Sequence, residues 1–188
     1  MPKTDYNSIK TESGDSKYMK FPVGDSKIRI VSDVYSSMRH GMEIEGAYKN
    51  ICCPKTVDPT LACPLCKKEK PRQKWIVKVI DRKDGLVKIL ESGTMIFSQL
   101  ASFVENVEYG DPTNYDITVT RIGERLETKY TLVPSRSNTE LTEEEVEMVK
   151  VDKFDLELYT TPRPIKEIEA LAKGEEVETD LNVADIPF

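Results

Sequence analysis

Residues 40–66 read HGMEIEGAYKNICCPKTVDPTLACPLC and contain the single histidine and all four cysteines of this 188-residue chain. A tetrahedral zinc site needs four nitrogen or sulfur ligands, and a Cys-x-x-Cys turn lets two thiolates face one ion. Cys63 and Cys66 have that spacing. The other side chains available as ligands are His40, Cys52 and Cys53. The pattern therefore predicts one structural Zn²⁺ held by three thiolates and one imidazole, with either Cys52 or Cys53 as a ligand.

Three other uses of the cysteines are less well supported. Isolated buried thiols can pack as small hydrophobic groups, and an iron–sulfur cluster would favour four thiolates over three. Disulfides require an oxidising compartment, whereas the first residues are polar and show no apolar run of a signal peptide. We therefore expect a reducing compartment, in which this spacing indicates metal binding.

A catalytic zinc ion would need a water ligand and a neighbouring general base. Zinc deaminases carry His-x-Glu followed by Pro-Cys-x-x-Cys. In this chain Glu43 is the third residue after His40, and Ala62 stands before Cys63 where proline is expected. With four protein ligands available, the site is predicted to be structural. No nucleophile with a base, phosphate-binding loop or open metal site is readable, so we do not expect an enzyme.

The charge is distributed unevenly along the chain. The net charge is −6, but residues 18–136 carry 19 basic and 15 acidic side chains, while residues 137–188 carry five basic and 15 acidic ones. The basic excess centres on residues 39–88, with twelve basic and six acidic side chains. A basic body joined to an acidic C-terminal part is a recognised pattern of nucleic-acid-binding proteins.

Apolar periodicity predicts five strands and one helix in the body. The predicted strands are residues 27–32, 74–81, 86–91, 115–121 and 127–133, and the predicted helix is residues 95–106. Asp84-Gly85 signals a hairpin turn between the second and third strands. Residues 33–72 are predicted to be mostly loop, ordered by the metal.

Five strands with a helix between the third and fourth are typical of the OB-fold, whose surface and loops bind oligonucleotides. We predict a mainly β protein with short helices (α+β), built on a five-stranded OB-fold barrel with an inserted zinc-binding loop subdomain. Small sandwiches and SH3-like barrels are the alternatives. The predicted parts are a flexible arm at 1–17, the core at 18–136 with the zinc insertion at 34–73, an extension at 137–173 packed on the core, and an acidic disordered tail at 174–188.

Local signals divide the extension into three elements. Thr142 and Glu145 have the spacing of a capping box that starts a helix. Residues 154–159 alternate between apolar and polar side chains, as a strand does. Residues 161–173 begin with prolines, continue with one apolar stripe and are followed by Gly174, which predicts a helix that packs against the barrel.

The spacing His40-x12-Cys53-x9-Cys63-x2-Cys66 resembles the zinc motif of the helix-destabilising, single-stranded-DNA-binding proteins of T-even bacteriophages, in which a zinc loop is inserted into an OB-fold. The resemblance covers roughly residues 20–135. It implies that Cys53 is the ligand, and it implies sequence-nonspecific binding of single-stranded DNA in phage DNA replication, recombination and repair. The N-terminal arm lacks the Lys/Arg-Ser-Thr cluster that such proteins use for cooperative contacts.

The last residues resemble the C-terminal tip of bacterial single-stranded-DNA-binding proteins. They are Asp185, Ile186, Pro187 and Phe188. This resemblance implies that the tip recruits replication and recombination proteins. We expect no membrane association and a cytoplasmic location, in the host cell if the chain is phage-encoded, with no secretion.

A binder that is indifferent to sequence needs cations for phosphates and aromatic platforms for bases. The candidate DNA-binding cations are Arg29, Arg39, Lys49, Lys74, Lys78, Arg121 and Lys129. The candidate platforms are Tyr35, Tyr48 and Trp75. The alternative function is a zinc-stapled interaction module that docks on a polymerase or another replisome protein without touching DNA.

Overall fold

A computed structural model describes residues 16–44, 47–137 and 139–174. The protein is mixed α+β, with a mostly antiparallel, open seven-stranded sheet and short helices. The strands are β1 (Gly24–Ile30), β2 (Tyr35–Ile44), β3 (Ala47–Cys52), β4 (Arg72–Asp81), β5 (Val87–Ser92), β6 (Asp116–Ile122) and β7 (Lys129–Pro134). The α-helices are α1 (Thr94–Glu105), α2 (Glu143–Val151), α3 (Leu156–Thr160) and α4 (Ile165–Lys173).

Strand β4 is the centre of the sheet. Trp75 pairs with Ser36 of β2 and also with Ser92 of β5, so these two strands lie on opposite edges of β4. Strand β1 pairs with the second half of β4, on the edge that β2 occupies along the first half. On its other side β1 pairs with β6, and β6 pairs with β7. Strands β1 and β2 therefore follow one another along a single edge of β4.

Helix α1 fills the seam between the two ends of the sheet. No strand pairing joins β5 to β7 among the described residues. Instead, the Gln99 side chain accepts a hydrogen bond from the Leu132 backbone N–H and donates one to the Tyr130 carbonyl. The segment around Tyr18 pairs in parallel with Ile89 of β5. Side-chain amide groups and a short extended segment thus satisfy backbone groups that a neighbouring strand would otherwise bind.

The main hydrophobic core lies between one face of the sheet and α1. Alternate residues of the strands point inwards, as the period of two requires. They include Ile28, Ile30, Val77, Val79, Leu90, Ile117 and Val119, which pack against Ile96, Phe97 and Leu100 of α1. The opposite face of β4 and β5 carries a second apolar cluster with α3.

Several local predictions are confirmed. Gly85 adopts a positive φ of 73° in the turn between β4 and β5. Thr142 and Glu145 form a complete capping box at the start of α2. Gly174 ends α4 in the left-handed conformation, with φ 82°. None of the described helices is both long enough and apolar enough to cross a lipid bilayer.

Three sequence predictions are wrong. Residues 33–72 are not mostly loop, because β2 and β3 form a hairpin that extends the sheet from β4. Residues 154–159 are not a strand, because the Asp155 side chain caps the short helix α3, which buries Leu156 and leaves Leu158 exposed. The apolar stripe of α4 packs not on the sheet core but on the cysteine-rich segment.

Candidate metal centre and nucleic-acid surface

The four predicted ligands come from three parts of the chain. His40 lies in β2 and Cys53 follows β3 directly, so the β2–β3 hairpin supplies two ligands. Cys63 and Cys66 lie at the start of and within the 3-10 helix Pro64–Lys67, where Pro64 occupies the first turn. The side chains of His40, Cys53 and Cys63 are buried, and that of Cys66 is half-buried.

The distances between the ligand atoms fit a tetrahedral zinc ion. His40 Nε2 lies 3.5 Å from Cys63 Sγ and 3.6 Å from Cys66 Sγ. Cys53 Sγ lies 3.7 Å from Cys66 Sγ. With Zn–S of about 2.3 Å and Zn–N of about 2.0–2.1 Å, a tetrahedron has edges of about 3.6 Å between nitrogen and sulfur and about 3.8 Å between two sulfurs. The four side chains therefore could hold a metal ion at their centre.

Burial favours the uncharged forms of His40, Cys53 and Cys66 in the cluster. Burial raises the pKa of Cys53 to about 12, and burial raises the pKa of Cys66 as well. Burial lowers the pKa of His40, against a smaller opposing effect of Glu69. A divalent metal binds a neutral imidazole and deprotonated thiols, so its binding to this donor set would release protons.

The structure separates Cys53 from its neighbour Cys52. Cys52 Sγ points away from the cluster and donates a hydrogen bond to the Thr160 carbonyl at 3.0 Å. Because successive side chains of an extended segment point to opposite sides, only one of two adjacent cysteines can face His40. The geometry places Cys53 in the cluster and Cys52 against α3.

Helix α4 covers the cluster on one side. Ile168 and Leu171 are buried against Cys53, Cys63 and Leu65. Lys68 Nζ also donates a hydrogen bond to the Ala172 carbonyl at the end of α4. The metal ligands thus share a small apolar core with a helix that lies about 100 residues further along the chain. We refer to β2, β3, the 3-10 helices Pro54–Thr56 and Pro64–Lys67, and α4 as the metal subdomain.

Sequence comparison identifies no relative of the chain. No protein-family model matches the chain, and no curated protein is similar to it at a significant level.

Three of the predicted DNA-binding cations are held inside the protein. Arg29 is fully buried and donates hydrogen bonds to Thr139. Arg39 is buried, with its guanidinium 4.0 Å from the Tyr159 ring centroid. Lys78 forms an ion pair of 2.7 Å with Asp152. In this conformation these cations are not free to contact phosphate.

The other predicted cations are more accessible. Lys129 is exposed, and Lys49 and Lys74 are half-buried. Arg121 donates a hydrogen bond to the Phe21 carbonyl and lines a cavity of about 330 Å³ beside the seam between β5 and β7.

The three predicted platforms differ in exposure. Tyr48 is 66% exposed and is the one whose ring stands open to solvent. Tyr35 packs on the apolar cluster of α3. Trp75 stacks on Phe97, with ring centroids 6.0 Å apart, at the edge of the main core. The predicted tip, residues 185–188, lies outside the described residues.

Sequence reasoning missed a run of exposed cations beside the metal ligands. Residues 67–74 contain five basic side chains and one acidic side chain. Lys67, Lys68, Lys70 and Arg72 are exposed, and we call residues 67–74 the basic ridge. The sequence shows that these basic residues follow the last cysteine directly and recur at nearly every second position. It could not show that their side chains lie on the surface, because that depends on the fold.

Proposed function

We propose that the cluster of His40, Cys53, Cys63 and Cys66 binds one structural zinc ion and that the protein binds single-stranded DNA without sequence preference. All four ligand positions are filled by protein, so such an ion would order the metal subdomain and take no part in a reaction. The chain's own residues would perform the binding.

The sheet connectivity supports an OB-fold as the scaffold. The OB-fold joins its first strand to its second and fourth, its second to its third, and its fourth to its fifth. If the β2–β3 hairpin is treated as an insertion, strands β1, β4, β5, β6 and β7 show these four pairings. Helix α1 occurs between the third and fourth of them, at the seam that a closed barrel would join.

The observation that carries the proposal is that an exposed aromatic ring and Arg72, a cation of the basic ridge, lie on one face of the sheet formed by β3, β2 and β4. Arg72 pairs with Arg39, and Arg39 pairs with Cys52, so these three side chains share a face of the sheet. Tyr48 is four residues from Cys52 in the same strand and therefore points to that face too. Arg72 and Tyr48 are separated by about 10 Å across the strands and about 13 Å along them.

This spacing suits a short stretch of single strand. A phosphate at Arg72 and a base stacked on Tyr48 would belong to nucleotides a few positions apart, because an extended single strand advances by several ångströms per nucleotide. The end of α3 packs on the same face against Arg39 and Cys52, so the strand would run beside it. Duplex DNA hides its base faces, so stacking favours single strands.

The test is equilibrium binding of a fluorescent oligonucleotide, single-stranded or duplex, over a series of salt concentrations. The proposal predicts that the single strand binds more tightly than the duplex. It also predicts that the logarithm of the affinity falls linearly with the logarithm of the salt concentration. Equal affinity for the two forms, or an affinity that does not change with salt, would contradict it.

A second candidate is the zinc-stapled interaction module that contacts replication proteins and not DNA. The observation that favours it is the burial or pairing of Arg29, Arg39 and Lys78, which removes three cations from the surface. Absence of single-strand binding at low salt, together with retention of the protein on an immobilised replication polymerase, would favour this candidate. Recruitment through residues 185–188 is proposed under either function.

A further inference from the structure

Helix α2 lies over the face of β4 opposite the main core, and ion pairs connect it to that face. None of its nine side chains, all of them described, is buried. The segment 139–160, which contains α2 and α3, carries eight acidic and two basic side chains. By contrast, α3 buries Leu156 and Thr160 and α4 buries Ile168 and Leu171. The α2 segment is therefore the part of the extension whose attachment depends most on salt.

Two ion pairs connect α2 to the sheet. Arg82, directly after β4, donates a hydrogen bond to the Glu145 carboxylate. Lys78 of β4 contacts the Asp152 carboxylate at 2.7 Å, at the other end of α2. Lys78 and Arg82 are four residues apart, so they project from the same side of the chain in extended backbone. Two carboxylates of α2 thus occupy two cations on one face.

Beneath the segment that leads into α2 lies a buried arginine with incomplete partners. Arg29 is 0% exposed and bonds Thr139 through its carbonyl and through its hydroxyl at 3.0 Å. Its Nε and Nη1 find no hydrogen-bond partner among the described residues. The nearest carboxylate, that of Asp116, is 3.8 Å away and is shared with Lys27 and Arg82. Burying a cation whose N–H groups lack hydrogen-bond partners costs free energy. An unsatisfied buried group of this kind therefore needs an explanation.

We propose that the face formed by Lys27, Arg29, Lys78 and Arg82 is a second phosphate-binding surface for single-stranded nucleic acid, and that α2 is its built-in competitor. This inference rests on the function proposed above. The Glu145 and Asp152 carboxylates stand where backbone phosphates would bind, and Thr139 occupies Nη2 of Arg29 while Nε and Nη1 have no hydrogen-bond partner among the described residues. An incoming strand would displace α2 while α3 and α4 stay anchored.

The physical basis is an exchange of one anion for another. Phosphate and carboxylate both accept charge-assisted hydrogen bonds from Arg and Lys. Because α2 is tethered at both ends, its effective concentration at the face is high. A strand already held at the basic ridge and Tyr48 is tethered as well, so it can compete on similar terms. Binding in two stages, first at the ridge and then on the uncovered face, is the consequence.

Replacing a carboxylate of α2 by the uncharged amide tests the competition. Glu145→Gln removes the ion pair with Arg82 but keeps a side chain that can complete the capping box with Thr142. The matched control is Glu144→Gln, which makes the same charge change at an exposed position of the same helix. We expect Glu145→Gln, and likewise Asp152→Asn, to tighten oligonucleotide binding at low salt about two- to fivefold relative to the control, and by less at high salt.

Hydrogen exchange supplies a readout that does not depend on the variants. Adding a single-stranded oligonucleotide of about 20 nucleotides to the wild-type chain should raise amide exchange in residues 143–151 while residues 165–173 stay protected. Identical affinities for the Glu145 and Glu144 variants, with α2 equally protected in the complex, would overturn the inference while leaving the proposed function intact. If neither the wild type nor any variant binds single strands at low salt, the proposed function itself falls.

Discussion

The ring of Tyr48 lies across Gly41, in the space where a side chain on that glycine would stand. Gly41 is in β2 and Tyr48 in β3, so the exposed ring is supported by the backbone of the neighbouring strand. A ring held in this way loses little conformational freedom when a base stacks on it. Because Gly41 has no side chain, it leaves room for the Tyr48 ring of the neighbouring strand and so helps to orient that ring.

Substitutions that remove the Tyr48 ring, or that displace it from Gly41, should both weaken DNA binding. Tyr48→Ala is expected to lower single-strand affinity by ~1–3 kcal/mol, the value of one stacked base. Gly41→Ala should also lower affinity, because the new methyl group displaces the ring, yet it should fold, since the ring tip can rotate away. Tyr48→Phe is the control that keeps the platform. Fluorescence anisotropy measures the affinities, and wild-type binding by Tyr48→Ala would refute the stacking role.

Loss of the metal should destabilise the metal subdomain as a unit. We expect one zinc per chain, and Cys63→Ser or chelation should cost at least about 4 kcal/mol, or roughly 8–16 °C in Tm for a chain of this size. Cys52→Ser is the matched control, because a hydroxyl can keep the hydrogen bond to the Thr160 carbonyl. Metal analysis and thermal unfolding provide the measurements. Equal Tm values with and without the metal would contradict a structural site.

The basic ridge should contribute to the salt dependence of binding. Lys67→Ala and Lys70→Ala should each reduce the slope of log affinity against log salt by about 0.7 if each lysine neutralises one phosphate on a single strand. Lys83 is exposed in the turn beyond the opposite end of β4, so Lys83→Ala serves as the control. If both ridge variants keep the wild-type slope of log affinity against log salt, the DNA does not contact these lysines.

Stability should fall on acidification through Asp116 and Glu145. Burial alone would raise the pKa of Asp116, but Arg82 and Lys27 outweigh it and lower that pKa. Burial alone would also raise the pKa of Glu145, but hydrogen bonds from the Thr142 amide and Arg82 outweigh it and lower that pKa. Since the folded pKa values lie below the unfolded ones, the stabilisation is complete above about pH 5 and disappears as pH falls through the lowered values.

Thermal unfolding between pH 7 and pH 2.5 measures this effect. Arg82→Gln should remove much of the acid-dependent part, because Arg82 contacts both carboxylates. If the wild type and Arg82→Gln lose Tm equally over that range, other carboxylates govern the acid response.

The tail offers a test that depends on the sequence alone. Residues 174–188 carry five acidic side chains and no basic one, so they should compete with DNA for cationic surface at low salt. Deleting them should tighten single-strand binding more at low salt than at high salt. Removing Phe188 alone should leave DNA binding nearly unchanged and abolish contact with a partner protein. Equal affinity at every salt concentration would argue against competition by the tail.

The sequence by itself determined the features that depend on neighbours along the chain. The cysteine and histidine spacing identified the cluster that could hold a metal, because a Cys-x-x-Cys turn has a fixed local geometry. The positions of β4, β5, α1 and β6 followed from apolar periodicity to within a few residues, and the capping box and Gly174 located two helix ends. The periodicity and cap signals each lie within one element, and the Cys-x-x-Cys turn supplies half of the cluster locally.

Only the tertiary structure decided which side chains face solvent. Arg29 and Lys129 look equivalent in the sequence, but one is buried under Thr139 and the other is exposed, because the extension folds back over the face of the sheet opposite the main core. The β2–β3 hairpin was hidden for a similar reason: at the end that carries Arg39 and Cys52 both of its faces are covered, by α3 and by the cysteine cluster, which removes there the alternation that marks a half-exposed strand. The choice between Cys52 and Cys53 was set by the strand to which they are attached, since its direction turns one thiol towards His40 and the other towards Thr160.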